Sequence, residues 1–336
     1  MSVTCEAGVS DGWQHRNRST SVSSPGSAGR PSVTNASPPR DPARRVGTGA
    51  ASPRVPTSRR IGHHAGCGTI DPVPYTTTDG GVKLSYQIRG EGPALVLLQG
   101  QANDHRWWDP VRDDFATAHR TITLDYRGTG DSDKPDEPYT TRGFAADVVA
   151  VLDELGVERA HVYGTSMGGR VAQWLAADHP GRVGALVLGC SSPGGAHGVE
   201  RDNDVRRALA QPDREAAARA LLELMYTPAW LAAHPGPYRT TGDPAMPAHA
   251  RRRHLAASAG HDAWDVLPSI AAPTLVMHGT DDVFNPAANA PLLAGHIPGA
   301  ELRLIEGARH AYFEEFREVA SPLVLEFLAS RPLPSR

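Results

Sequence analysis

The run Gly164-Thr165-Ser166-Met167-Gly168 sets a serine between two glycines. An apolar stretch, Ala160-His161-Val162-Tyr163, precedes it, and a helical pattern begins near Gly169. A serine that attacks a carbonyl must project from a very tight strand-to-helix turn, and flanking glycines leave room where side chains would collide. The helix that follows turns its free N–H groups toward the same point, favouring negative charge there. G-x-S-x-G alone is a weak signal in a chain with 34 glycines; the strand before and the helix after make it specific. The competing reading is a glycine-rich turn of purely structural use.

Serine is a poor nucleophile without an adjacent base. In Leu304-Ile305-Glu306-Gly307-Ala308-Arg309-His310, the histidine stands just past an apolar run and before the last helical pattern. That is where the base belongs in the order serine, acid, histidine. The chain has 15 histidines, and most histidines are surface or satisfied residues, so position is what selects His310. The acid that orients it has two candidates, Asp281 and Asp282, after the run Thr274-Leu275-Val276-Met277-His278-Gly279. Adjacent aspartates point in different directions, so one can orient the base and the other serves the turn. The other loop that could hold the acid reads Cys190-Ser191-Ser192-Pro193 and contains no carboxylate.

These residues need a scaffold. Tyr75-Thr76-Thr77 and Val82 to Ile88 flank Asp79-Gly80-Gly81, which predicts a hairpin. Unbroken apolar runs predict strands buried on both faces at 94–98, 121–126, 159–164, 184–190, 273–279 and 301–305. Helical patterns lie between them: 109–118, then Phe144, Val148, Val151, Leu152 and Leu155, then Val171, Trp174 and Leu175, and finally Val319, Leu323 and Phe327. Strand alternating with helix predicts an α/β protein with a mostly parallel sheet and helices on both faces. The stretch 191–270 shows helical patterns only, at Arg206 to Met225 with a break at Pro212 and at Pro247 to Ala259. It is expected to form a cap over the C-terminal ends of the strands, where open α/β sheets bind ligands.

The strand order, the Ser166 turn, Gly279-Thr280-Asp281-Asp282 and Gly307-Ala308-Arg309-His310 together resemble the α/β-hydrolase superfamily, most closely its bacterial esterase and enol-lactonase-like branch. Asp125-Tyr126-Arg127-Gly128-Thr129-Gly130-Asp131-Ser132 matches the family's loop before the nucleophile strand, and the likeness covers roughly residues 75 to 330. The resemblance implies that the acid lies three residues after the strand-end glycine, at Asp282. It also implies an oxyanion hole built from the Met167 N–H and an N–H of the loop after strand 94–98, at Gln101. That loop begins His-Gly in the family and Gln99-Gly100 here.

The implied reaction is hydrolysis of a carboxylic ester or lactone through an acyl-enzyme. Perhydrolysis or carbon–carbon bond hydrolysis on the same triad, and non-catalytic binding of a small molecule, are the alternatives. Relatives with a carboxylate nucleophile are set aside by Ser166. Trp107, Trp108, Met225, Tyr226 and Trp230 are expected to line a pocket for a small molecule with an apolar part, cap–core packing being the other reading of each. Arg251, Arg252 and Arg253 read as a solvated helix face, with anion binding as the alternative.

The remaining features narrow the setting. Net charge is −3 over 336 residues, which gives no global case for nucleic acid as partner. Three widely spaced cysteines form no disulfide framework, and no run approaches the ~18 apolar residues of a membrane span. No cofactor or metal is implied. The N-terminus lacks the apolar core of a secretory signal, so a cytoplasmic location is expected, with oligomeric state left open. Residues 1–70 are rich in Ser, Pro, Gly and Arg, with nine arginines against Glu6, Asp11 and Asp41. This stretch is expected to be a disordered tail. His63, His64 and Cys67 lack a fourth partner that would make a metal site.

Overall fold

A computed structural model describes residues 73–333; the predicted tail lies outside the described residues. The first hairpin pairs β1 (Tyr75–Thr77) with β2 (Lys83–Arg89), and Gly81 at φ 80° makes the turn. Then come β3 (Ala94–Leu98), α1 (Arg112–Ala116), β4 (Arg120–Leu124), α2 (Thr141–Glu154), β5 (Ala160–Thr165), α3 (Met167–Asp178) and β6 (Val183–Gly189). A helical stretch follows: α4 (Asn203–Ala210), α5 (Arg214–Met225), α6 (Pro228–Ala233) and α7 (Ala248–Ala259). The chain returns to the sheet with β7 (Thr274–Gly279), α8 (Asn289–His296), β8 (Glu301–Ile305), α9 (Tyr312–Glu315) and α10 (Arg317–Ala329).

The eight strands form one sheet in the order β1-β2-β4-β3-β5-β6-β7-β8. β2 runs antiparallel to its neighbours β1 and β4, and the strands from β4 to β8 are parallel. This is the mostly parallel α/β sheet expected from the alternation of patterns, and it agrees with the α/β-hydrolase fold that the resemblance implies. Its central strands are apolar throughout because each feeds two cores. In β3, Val96 and Leu98 join one core with Phe144, Val148 and Val171 from α2 and α3. Leu95 and Leu97 join the other with Phe115, Val324 and Phe327 from α1 and α10. Successive side chains point to opposite faces, so a strand covered on both sides shows no alternation.

One predicted boundary moved and one helix was missed. The helix expected over 109–118 is a 3₁₀ turn, His105–Trp108, followed by the short α1. Pro110 lacks the N–H that a continuous helix would need. The break predicted at Pro212 is present: α4 ends at Ala210, and the Asp213 carboxylate caps α5 through the N–H groups of Glu215 and Ala216. α6 escaped the sequence reading although its start is marked, since Thr227 accepts from the Trp230 N–H and Pro228 occupies the first helical position. Between β6 and β7 the chain adds no strand to the sheet; a single bridge joins Gly194 and Asp262. No described helix is long and apolar enough to cross a membrane.

Candidate active site

Ser166 occupies the turn between β5 and α3 with φ 56° and ψ −121°. A non-glycine residue at positive φ is strained, and such strain persists only where surrounding structure imposes it. Here the imposition is visible. A Cβ on Gly164 would lie 2.3 Å from the Gly168 carbonyl oxygen, and one on Gly168 would lie 2.1 Å from that of Leu98. The turn is held from below as well: the Ser166 N–H donates to Gly189 O at 2.8 Å, and Ser191 Oγ donates to Ser166 O at 2.9 Å.

Asp282 and His310 arrive on two loops that are stitched together. The Thr280 N–H donates to Ile305 O at 3.0 Å, the Asp281 N–H to Ala308 O at 3.0 Å, and the Gly307 N–H to Thr280 Oγ1 at 2.8 Å. Asp282 Oδ2 then stands 2.7 Å from His310 Nδ1. Asp281 is exposed and bonds only with its neighbours in the loops, accepting from Thr280 Oγ1 at 3.1 Å. Burial pushes the Asp282 carboxyl up, but the His310 and His278 imidazoles outweigh it and hold the group well below the usual carboxylate range. An ionised carboxylate only accepts, so His310 Nδ1 carries a hydrogen, and in the neutral imidazole Nε2 is left with the lone pair. That Nε2 is buried and has no hydrogen-bond partner among the described residues. Ser166 and His310 line the same cavity, of about 300 Å³, without a hydrogen bond between them among the described contacts.

His278 is a member of this cluster that sequence reading passed over as a strand residue. Its Nε2 faces two acceptors, Asp282 Oδ2 at 3.1 Å and Asn285 O at 2.8 Å, so it must carry the hydrogen. The Asn285 N–H meanwhile donates to Asp282 Oδ1 at 2.9 Å. Both carboxylate oxygens are thereby held. The only signal in sequence is a histidine four residues before the aspartate, which is not a spacing with chemical meaning in a strand and loop.

The oxyanion candidates Gln101 and Met167 sit on either side of Ser166 in the chain's layout. Met167 is the first residue of α3, so its N–H has no intrahelical acceptor, and the Gln101 N–H also has no partner among the described residues. Gln101 lines the cavity. Gln99 is buried; its Nε2 donates to Leu124 O at 2.7 Å and ties the end of β3 to the end of β4. Gly100 is required by close packing: a Cβ there would meet the Trp107 ring at 2.6 Å. Two residues after Gly100, Ala102 has φ 59°, and His254 of α7 accepts from its N–H at 3.4 Å while donating through Nε2 to Arg127 O at 2.9 Å.

Of the five predicted pocket residues, Trp107 and Met225 line the cavity and three do not. Trp108 is corrected to a core residue, packed between Tyr163 and Phe313 at 4.9 and 5.5 Å. A 3₁₀ turn splays successive side chains about 120° apart, so neighbouring tryptophans cannot share a wall. Tyr226 follows Met225 in extended backbone and points away from it, with its hydroxyl on Thr240 and Glu314. Trp230 stacks on His234 at 3.6 Å. The cavity wall is completed instead by Leu209, Leu221, Leu255 and Phe284, with Arg201 and Arg251.

Ligand-type atoms of Asp104, His105 and Asp125 lie within 4.8 Å of one another. Local bonds already engage them: His105 Nδ1 pairs with Asp125 at 2.8 Å and Arg106 pairs with Asp104.

A family model described as alpha/beta hydrolase fold matches residues 93–316. The chain belongs to that family. Several named proteins are similar to this hydrolase. A protein of Azorhizobium caulinodans named "Putative carbamate hydrolase RutD" is 30% identical over 256 residues, covering 74% of this chain and 96% of the relative. The enol-lactonase of Burkholderia xenovorans LB400 superposes with TM-score 0.68 at 28% identity, covering 76% of this hydrolase and all of that chain, 100%. Est816, described as an N-acyl homoserine lactone degrading enzyme, superposes with TM-score 0.65 at 32% identity over 76% of this chain and 100% of its own.

Proposed function

We propose that this hydrolase cleaves carboxylic esters or lactones through an acyl-enzyme formed on Ser166. The observation that carries the reading is the strained Ser166 turn opening on the same cavity as His310, whose Nδ1 is tied to a buried, ionised Asp282. His310 Nε2 takes the Ser166 proton as Oγ attacks the carbonyl carbon. The contact between them tightens when substrate is bound, as is common for such pairs. The N–H groups of Met167 and Gln101 receive the oxyanion. Collapse expels the alcohol, which takes the proton from His310. Water, deprotonated by the same imidazole, then attacks the acyl-enzyme, and the acid leaves with Ser166 restored. One water is consumed; one acid and one alcohol are released, or one hydroxy acid from a lactone. Leu209, Leu221, Met225 and Leu255 give the substrate's hydrocarbon part an apolar wall.

The test is covalent labelling. A fluorophosphonate probe should modify the wild-type protein and leave Ser166→Ala unmodified, and 4-nitrophenyl acetate should give a burst followed by slower turnover. Labelling that survives Ser166→Ala would remove the nucleophile from this reading. Labelling at Ser166 without ester or lactone turnover would point to perhydrolysis, to carbon–carbon bond hydrolysis, or to binding alone.

A further inference from the structure

The titratable side chains that line the cavity are His310 and two arginines, Arg201 and Arg251; no carboxylate is among the lining residues. Arg201 comes from the segment leading into α4 and is largely buried. Its Cζ lies 4.1 Å from the centre of the Phe284 ring, and that ring in turn meets the His310 imidazole at 4.7 Å. The guanidinium and the imidazole therefore contact the same aromatic ring. Stacking occupies the flat face of a guanidinium and leaves its in-plane N–H donors unspent. Among the described residues Arg201 forms no ion pair, and its side chain donates no hydrogen bond; its neighbour Glu200 is engaged by Arg206 at 2.8 Å. Burial works against the Arg201 charge more strongly than Glu200 and Asp282, acting without direct contact, support it. Arg251, on α7, reaches the same space and donates only to a backbone carbonyl, Asp243 O at 3.3 Å.

We infer that Arg201 is the anion-binding element of the acyl-transfer cavity, and that the substrates are esters or lactones bearing a carboxylate a few bonds from the scissile carbonyl. The inference rests on the hydrolase reading given above and narrows it to a substrate class. A carboxylate matches the guanidinium fork through two parallel hydrogen bonds and supplies the direct acceptor that no described residue provides. The apolar wall between that fork and Ser166 accommodates the connecting carbons. Arg251, exposed on α7, adds a second positive charge to the same cavity.

The decisive comparison uses the full chain and two esters of matched length, monomethyl glutarate and methyl pentanoate, followed by proton release. Arg201→Gln should lower the ratio of kcat/KM values, charged over neutral ester, by tenfold or more, with the change in KM. Arg201→Lys keeps the charge and should restore part of that ratio, which also guards against a folding defect. Arg252→Gln, exposed on α7 and outside the cavity lining, should leave the ratio where it was. Calorimetric binding of glutarate itself gives a readout free of turnover: it should weaken tenfold or more in Arg201→Gln and weaken with added salt. If neither ester is turned over but glutarate binds through Arg201, the ester reaction falls and the anion site stands. If methyl pentanoate is hydrolysed while both the ratio and glutarate binding ignore Arg201, the anion site falls and the hydrolase reading stands.

Discussion

Asp282 Oδ2 lies 2.7 Å from His310 Nδ1 and also 3.1 Å from His278 Nε2, so one buried carboxylate oxygen serves two imidazoles. The shared oxygen fixes His310 in one tautomer while His278 fixes the oxygen.

Asp282→Asn is expected to lower kcat by orders of magnitude, because an amide no longer balances the imidazolium and favours the wrong tautomer. Asp281→Asn should change kcat little, since that exposed side chain bonds only to Thr280 Oγ1. Steady-state kinetics on one activated ester separates the two. A larger loss at Asp281 would transfer the orienting role to it.

Replacement of the loop residues after β3 should split sharply. Gln99→His should retain activity within about tenfold, or ~1.4 kcal/mol in the barrier, because Gln99 bonds to Leu124 O and stays out of the cavity lining. Gly100→Val should cost on the order of a hundredfold or more by displacing the Gln101 N–H. The cause is steric, as the Trp107 ring already stands 2.6 Å from where a Cβ would be. Loss of turnover in a folded Gln99→His protein would give Gln99 a direct part in the chemistry.

Gly168→Ala tests the elbow itself. The added methyl would lie 2.1 Å from Leu98 O, a backbone atom of a central strand that cannot swing aside. The variant should melt well below the wild type and react slowly with a fluorophosphonate. A wild-type melting curve together with normal labelling would show that the turn tolerates a Cβ.

Stability should fall as pH drops below about 6.5, where unfolded histidines take up protons. Burial, aided by Arg170 at His261, pushes the folded His254 down to about 4 and His261 down to about 3. Between those limits the unfolded state binds protons that the folded state refuses, at on the order of 1.4 kcal/mol per pH unit for each group. Asp282, with its lowered value, adds to the loss only below the ordinary carboxylate range. Thermal melts from pH 7.5 to 5 should show a falling Tm, and His254→Gln should flatten the dependence. An unchanged slope in that variant would clear His254 of the effect.

Much of this arrangement could be read from order along the chain. β3 and β8 begin and end where their apolar runs do, and Ser166, Asp282 and His310 each follow a strand in the expected sequence. Which way a side chain faces was not legible. Trp107 and Trp108 are alike in composition and neighbourhood, and a tight turn sends one to the cavity and the other to the core. His278 and Arg201 were missed for another reason. Each acquires its surroundings from residues elsewhere in the chain, Asn285 in one case and Phe284 in the other, and no local pattern announces that meeting.

The helices between β6 and β7 reach further into the machinery than a covering layer would. The Leu224 and Met225 carbonyls at the end of α5 accept from the N–H groups of His310 and Ala311 at 3.4 and 2.9 Å, and Arg309 answers with its guanidinium on Tyr226 O at 3.3 Å. On the other side, His254 of α7 spans Ala102 and Arg127. The insertion is therefore not an interchangeable module. Grafting a foreign helical segment here to alter specificity would strip the supports from both His310 and the loop after β3, so a transplant must carry α5's last turn and the α7 histidine with it.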